Sequence, residues 1–440
     1  MIRVEGFNKA KQLLTRKGFS ESFTASSRLA TQIECVFKEK LSPQQVVEHI
    51  LSDVHDRGDG ALFYYTNKLD GVELDSLEVS KQEILAARDV VERKLISALE
   101  LAAKRIQDFH LAYACKRGVI FVNPCLGRQI RPLDKVGLYI PGGTAAYPST
   151  VLMTAIPAKV AGVKEIIITS PPAKNGSIPA PTLVAADIAG VSRVFKVGGA
   201  QAIAALAFGT ESVPKVDKIC GPGNIFVTLA KKMVYGTVAI DGLQGPSEIV
   251  IVADEIANPS LCAADLLAQA EHDPLASAIL ITTSPDLANQ VDREVVTQLR
   301  KLKRRTIATQ AIDRGIIILV NNSAEAIELV NLYAPEHLSL MVSDASSITP
   351  LIHNAGCIFI GENSPVVLGD YIAGPSHVLP TGGSARFSSP LGVEDFLKAT
   401  NIVALSKANM QELSQPAITI ARAEGLDAHA EAIEKRMSAK

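Results

Sequence analysis

The stretch IVIVADEIANPSLCAADLLAQAEHDPLASAILITT, residues 249–283, decides the fold class. It opens on an unbroken apolar run, Ile249–Ala253, and closes on another, Ala278–Thr283. Neither run alternates polar with apolar, so each suits a strand buried on both faces. Between them Pro259–Glu271 reads as a helix. Strand, helix and strand in that order predict a parallel sheet with crossover helices, the α/β class.

The same texture extends both ways. Val136–Ile140, Glu165–Thr169, Val194–Val197 and Lys218–Cys220 are strand-like, with helical stretches such as Pro181–Ile188 and Asn224–Tyr235 between them. Ile316–Val320 and Cys357–Ile360 continue the pattern downstream. Two blocks, about 136–242 and 248–361, predict two sheet domains. The first hundred residues read mainly helical and are expected to pack onto the second sheet. Ser42-Pro43 supplies a cap with proline at the first helical position, and Gly58 ends that pattern. Ser80 and Glu83 form a capping-box pair ahead of one long helix toward Cys115, with no glycine or proline inside it. A helical tail is expected after Pro390. No tandem repeat or low-complexity linker interrupts the chain.

With 440 residues, of which 47% are hydrophobic, the chain can bury a large core spread over about three domains. The net charge of −2 gives no reason to expect nucleic acid or an anionic membrane as partner. The basic run Lys301–Arg305 reads as a solvated helix end. Six cysteines without a C-x-x-C pair fit reduced thiols. The N-terminus lacks an apolar signal core, and the run Val151–Val163 is broken by Pro157 and Lys159. A soluble protein of the cytoplasm, or of another reducing compartment, is expected.

Groups able to bind metal or move protons gather where regular elements stop. Gln269 and His272 are three apart at the end of one helix, so they share a face and can both ligate a divalent cation; an exposed helix end would carry the same pair. Glu336-His337 follows Pro335, which biases Ala334 toward an extended backbone and puts the pair on a turn before Leu338–Val342. A carboxylate and an imidazole there can share proton-transfer work, although a surface turn would look alike. Asp370 and His377 bracket a turn-forming loop able to fold both into one cavity, or simply to make a satisfied turn. Pro141-Gly142-Gly143-Thr144 and Gly221-Pro222-Gly223-Asn224 are glycine loops that could approach a cofactor, but neither is a G-x-G-x-x-G fingerprint. His49, His55, His110 and His353 have no partner cluster.

Taken in order, Tyr-Ile-Pro-Gly-Gly (139–143), the segment 197–210, Gly-Pro-Gly-Asn (221–224), Gly-Pro-Ser-Glu (245–248), Gln-Ala-Glu-His (269–272), Ala-Pro-Glu-His-Leu (334–338) and Gly-Asp-Tyr with Ser-His-Val-Leu-Pro-Thr (376–381) resemble histidinol dehydrogenases through essentially the whole chain. The resemblance implies an NAD-dependent oxidoreductase with one zinc per subunit. It would oxidise L-histidinol through L-histidinaldehyde to L-histidine, the last step of histidine biosynthesis. By the same resemblance Gln269, His272, Asp370 and His429 would hold the metal, and Glu336 and His337 would be catalytic. Ser247, His377 and Glu424 would contact substrate together with those six residues, and Tyr139, Gln201 and Asn224 would contact NAD.

The implied fold has two incomplete Rossmann-like sheet domains plus small terminal helical segments, in a domain-swapped homodimer. The expected division is a 1–33 N-terminal segment, a larger domain of 34–138 with 247–390, a second domain of 139–246, and a 391–440 segment carrying Glu424 and His429 to the partner's site. Two other readings of the same residues are a zinc hydrolase using Glu336-activated water without nicotinamide, and a non-catalytic nucleotide-binding protein.

Overall fold

Three sheets order the molecule, a computed structural model that describes residues 1–16, 27–114, 117–142 and 146–438. Gly143 and Thr144 of the first glycine loop, and Cys115, lie outside the described residues. One sheet is six-stranded and wholly parallel, in the order Ile2–Glu5, Ile316–Leu319, Ser277–Thr282, Glu248–Ala253, His337–Met341, Cys357–Ile360. The strand-helix-strand segment read first lies at its centre, with the helix at Pro259–Ala270. Glu248–Ala253 is buried along its whole length, as a run without polar alternation requires.

The second sheet is five-stranded and also parallel, in the order Arg193–Phe195, Glu165–Thr169, Lys135–Tyr139, Lys218–Cys220, Ala239–Ile240. The chain starts in the middle strand, winds outward to one edge, then returns to fill the other side. The strand order therefore reverses between Lys135–Tyr139 and Lys218–Cys220, where a doubly wound sheet opens its ligand crevice.

Of the early helices, Phe7–Leu14 packs onto the six-stranded sheet as expected, its Ala10 and Leu14 sharing a core with Val250, Ile279 and Ile318, but those within 43–112 do not. The helix Pro43–Arg57 lies against Gly199–Phe208 and Ile225–Val234, and Val46, Val47, Ile50 and Val54 share a core with Ala202, Ile203 and Leu206. Lys81–Val90 and Arg93–Ala112 pack against Ala180–Ala189. The helices of the five-stranded sheet are apolar on nearly every face, so a second layer must cover them. Both capping boxes form, at Ser42/Gln45 and Ser80/Glu83. The predicted long helix is instead two, parted at Val91, whose extended backbone (φ −89°, ψ 133°) lets its buried side chain turn inward. Ile2–Glu5 is a strand that the sequence reading did not foresee.

By contact the chain divides into two compact units. The first is Met1–Ala114 with Leu133–Phe396 and holds both parallel sheets. The second is Cys115–Pro132 with Leu397–Lys440. The tail after Pro390 is not wholly helical: Leu397–Val403 pairs antiparallel with Leu126–Pro132, which pairs with Gly118–Asn123. Helices Lys407–Ala423 and Asp427–Ser438 pack together over Ile418, Ala421 and Ala430. The five described cysteines are free, and no described helix is long and apolar enough to cross a membrane.

One buried group destabilises this fold in a pH-dependent way. Asp265, on the helix Pro259–Ala270, is 7% exposed, and its Oδ2 has no hydrogen-bond partner. Burial pushes its carboxyl up to about 6. Below about pH 3 the group is protonated folded and unfolded alike; above that the unfolded chain ionises first, so a penalty grows and is full above the folded value. Asp265→Asn is therefore expected to raise the thermal midpoint at about pH 8 and to leave it nearly unchanged at about pH 3. Calorimetry at the two pH values checks this, and equal shifts at both would contradict it.

Candidate active site

Glu336 and His337 are delivered by an abrupt reversal of the chain. The helix Ser323–Tyr333 ends in Ala334, whose backbone is left-handed (φ 52°, ψ 67°), not extended as the following proline led us to expect. A chain leaving a helix and entering a strand within three residues needs such a cap, and the Ala334 N–H closes it on the Val330 carbonyl at 2.8 Å. The tight reversal overrides the preference set by Pro335. His337 is not on the turn; it opens the strand His337–Met341.

Register then fixes the partners. His337 stands beside Ile249 on one side and Cys357 on the other, so the amino ends of these strands meet at one edge of the sheet. The Glu248 N–H donates to Glu336 Oε2 at 2.8 Å. The Glu248 carbonyl lies 3.0 Å from His337 Nδ1 and can only accept, so Nδ1 carries a proton. Nε2 of His337 is buried without a hydrogen bond, 3.4 Å from Asp370 Oδ1. Burial alone would lower the pKa of this imidazole. The Glu336 and Asp370 carboxylates outweigh it and raise the value well above ordinary histidine.

Asp370 lies in the short helix Val366–Tyr371. Burial works to raise its carboxyl, but His337, followed by His377 and His272, holds it below the usual aspartate range. Three imidazoles thus act on one carboxylate. His377 Nδ1 donates to the Asp370 carbonyl at 2.7 Å, leaving its Nε2 bare, and burial lowers its pKa. The helix bearing Gln269 runs back from the carboxyl edge of the sheet to this amino edge and packs against the Asp370 helix. Gln269 is buried, whereas His272 just beyond it is exposed. Ser247, half-buried, immediately precedes Glu248. The loop around His377 is tied to the other half of the first unit: Ser376 Oγ donates to the Met153 carbonyl at 3.1 Å, and Arg105 Nε to the Ile372 carbonyl at 3.0 Å.

These contacts gather Ser247, Gln269, His272, Glu336, His337, Asp370 and His377 at one end of the six-stranded sheet. Glu424 and His429 belong to the second unit, where both are exposed. Among the described residues no three His, Cys, Asp or Glu side chains form a group able to hold a metal. The expected ligands in the first unit are one histidine, one aspartate and an amide. Nitrogen and oxygen donors of this kind suit zinc or another divalent ion.

The residues expected to meet NAD lie at the carboxyl ends of the five-stranded sheet. Tyr139 ends its strand, and its hydroxyl accepts the Gly199 N–H at 3.1 Å. Burial pushes that phenol up to about 12. Gln201, 1% exposed, leaves its Oε1 without a partner. Asn224 caps the helix Ile225–Val234 through the N–H groups of Phe226 and Val227, at 3.0 and 3.2 Å. Gly221 has φ +113°, and a Cβ there would collide with the Tyr139 carbonyl, so only glycine brings these two strand ends so close.

The sequence reading missed the groups that hold these loops. Lys231, 1% exposed, donates to the Gly221 carbonyl (3.0 Å), Asp241 (2.5 Å) and Gln244 (2.8 Å), and Asp241 accepts the Gly221 N–H at 2.7 Å. Glu248 was passed over although it stands next to Ser247. A buried charge inside an apolar run was the available signal in both cases.

Known proteins resemble this chain along nearly its whole length. The family model described as histidinol dehydrogenase matches residues 37–437. A histidinol dehydrogenase of Dehalococcoides mccartyi strain CBDB1 is 54% identical over 440 residues, covering 99% of each chain. One from Clostridium acetobutylicum is 51% identical over 402 residues, covering 91% of this chain and 93% of that one. The crystal structure of the histidinol dehydrogenase from Elizabethkingia anophelis superposes with a TM-score of 0.90 at 36% identity, covering 99% of this chain and 98% of that chain. The chain belongs to the histidinol dehydrogenase family of oxidoreductases.

Proposed function

We propose that this chain oxidises L-histidinol to L-histidine through L-histidinaldehyde, using zinc and two molecules of NAD. The observation that carries the reading is the convergence of Glu336, His337, Asp370 and His377 at one edge of the six-stranded sheet. Gln269, His272, Asp370 and His429 would hold zinc, whose chemistry is to orient substrate and polarise its oxygen. The orphaned Gln201 Oε1 and the crevice beside Tyr139 and Asn224 suit a dinucleotide, which accepts hydride when bound.

In this scheme Ser247 and His377 position the substrate, and His337 accepts the alcohol proton through Nε2 in each oxidation. Without metal, two carboxylates favour the proton on that ring; a cation engaged by Asp370 would withdraw one of those charges, as a proton acceptor requires. Glu336 activates the water that adds to the aldehyde. Its second carboxylate oxygen is available for this while Oε2 stays on the Glu248 amide. Burial of this pair at 7% and 3% exposure keeps bulk water from competing.

The reading extends to a homodimer in which Glu424 and His429 complete the partner's site. The second unit supports it. It leaves Phe121 50%, Val122 87%, Val403 68% and Ile420 61% exposed, more apolar surface than its few core residues can bury. Cytoplasmic residence follows from the biosynthetic role and the free thiols.

Histidinol with NAD is expected to raise absorbance at the NADH band, to fail after chelator treatment and to recover with zinc; undiminished activity in demonstrably metal-free protein would refute the zinc reading. Glu336→Gln should slow oxidation of supplied histidinaldehyde by about 10²–10⁴-fold while sparing substrate binding. Aldehyde turnover at the parent rate would remove Glu336 from the mechanism. Mixed dimers of Glu336→Gln and His429→Ala subunits, each inactive alone, should recover part of the activity through their one intact site. Heterodimers that form but stay inactive would place the site within one subunit.

A further inference from the structure

The catalytic pair proposed above does not hold itself in place, and the groups that hold it lead away from the substrate. Both polar contacts of the pair with the neighbouring strand run to the backbone of Glu248, at 2.8 Å from its N–H and 3.0 Å to its carbonyl. The Glu248 side chain points elsewhere. It is 6% exposed and meets Arg16 in a two-pronged pair, Nη1 to Oε1 and Nη2 to Oε2, each 2.7 Å. The third arm of Arg16, Nε, donates to the Tyr333 carbonyl at 2.8 Å. The guanidinium carbon also sits 3.9 Å from the centroid of the Tyr333 ring. Tyr333 is the last helical residue before Ala334, Pro335 and the pair itself.

Arg16 therefore grips the reversal that delivers Glu336 and His337, and the residue that receives them. Gly383 closes the cradle: a Cβ there would lie 2.8 Å from Arg16 Cδ. The residues matched by the family model begin at 37, so Arg16 lies outside that match.

We propose that Arg16 and Glu248 form a positioning pair that sets Glu336 and His337 for reaction without touching substrate or cofactor. A planar guanidinium can meet a carboxylate at two points and a carbonyl at a third, so it fixes an angle as well as a distance. A small slip of the 333–337 segment along Glu248 would move Glu336 Oε2 off the amide and rotate the His337 ring. Misplacement on the order of 1 Å in a reacting group can cost about 10²-fold in rate. The inference rests on Glu336 and His337 being the catalytic groups, and the test includes a control for that reading.

Arg16→Ala, Arg16→Lys, Glu248→Gln and Glu336→Gln would be prepared as full-length zinc-loaded protein and checked for parent-like circular dichroism, metal content and oligomeric state. Arg16→Ala is expected to lose about 10²-fold in kcat with KM for histidinol unchanged. Arg16→Lys should recover little, because an ammonium cannot span both carboxylate oxygens. Added guanidinium ion at non-denaturing concentration should restore part of the kcat of Arg16→Ala, and ethylammonium should not; a merely structural gap would not distinguish the two. An unchanged kcat in folded Arg16→Ala, or a loss shared equally by kcat and metal content, overturns the proposal. Should Arg16→Ala not fold, an unchanged kcat in Glu248→Gln overturns it equally. Parent-like kcat in Glu336→Gln would instead overturn the catalytic reading beneath it.

Discussion

Everything in the candidate site depends on how two parallel strands are aligned. His337 opens one strand opposite Ile249, so the peptide units of Glu248 fall level with Glu336 and His337. One residue of slip would turn His337 to the other face of the sheet, because side chains alternate along a strand. The register is held by apolar layers on both faces, Val250 and Val252 beside Leu338 and Leu340 on one and Ile249 and Ile251 on the other, all buried. Here the core does more than stabilise; it sets the position of a carboxylate oxygen relative to an imidazole.

The two sheets use opposite ends. In open parallel sheets ligands settle at the carboxyl ends of strands, and the five-stranded sheet presents Tyr139, Gly221 and Asn224 at that end, around its reversal point. The six-stranded sheet does not. Ser247, Glu248 and His337 stand at amino ends, and Gln269 arrives there because its helix runs antiparallel to the strand before it. The loop carrying His377 then links this edge to the helices of the other sheet through Ser376 and Arg105. A fold that places a crevice at the carboxyl edge of one sheet and acids and bases at the amino edge of another can serve two ligands from separate scaffolds.

Much of this was legible from the residues. Buried parallel strands announce themselves as β-branched runs, and each run from 136 to 360 became a strand within about a residue or two of its reading. Capping boxes were equally plain. What escaped notice depended on distant partners. Ile2–Glu5 is a strand only because Ile316–Leu319 offers it an edge. The antiparallel strand Leu397–Val403 pairs with residues hundreds of positions away. The left-handed Ala334 contradicts a sound local rule because the tertiary reversal outweighs it. For the site, motif resemblance named the residues, while the fold supplied what no spacing contains: Glu248 as the shared backbone anchor and Arg16 as its support.

The pairing of Leu126–Pro132 with Leu397–Val403 bears on how the chain comes into being. A ribosome releases the first of these strands long before the second, and the whole of 133–396 must emerge in between. Until then the hairpin Gly118–Asn123/Leu126–Pro132 has no third strand, and a lone hairpin is marginal in water. The first unit can organise during synthesis, and it brings Leu133 and Phe396 together through a 2.9 Å backbone bond. That closure sets the ends of the second unit side by side, so its assembly is deferred until 397–440 has been made and is conditional on everything made before it.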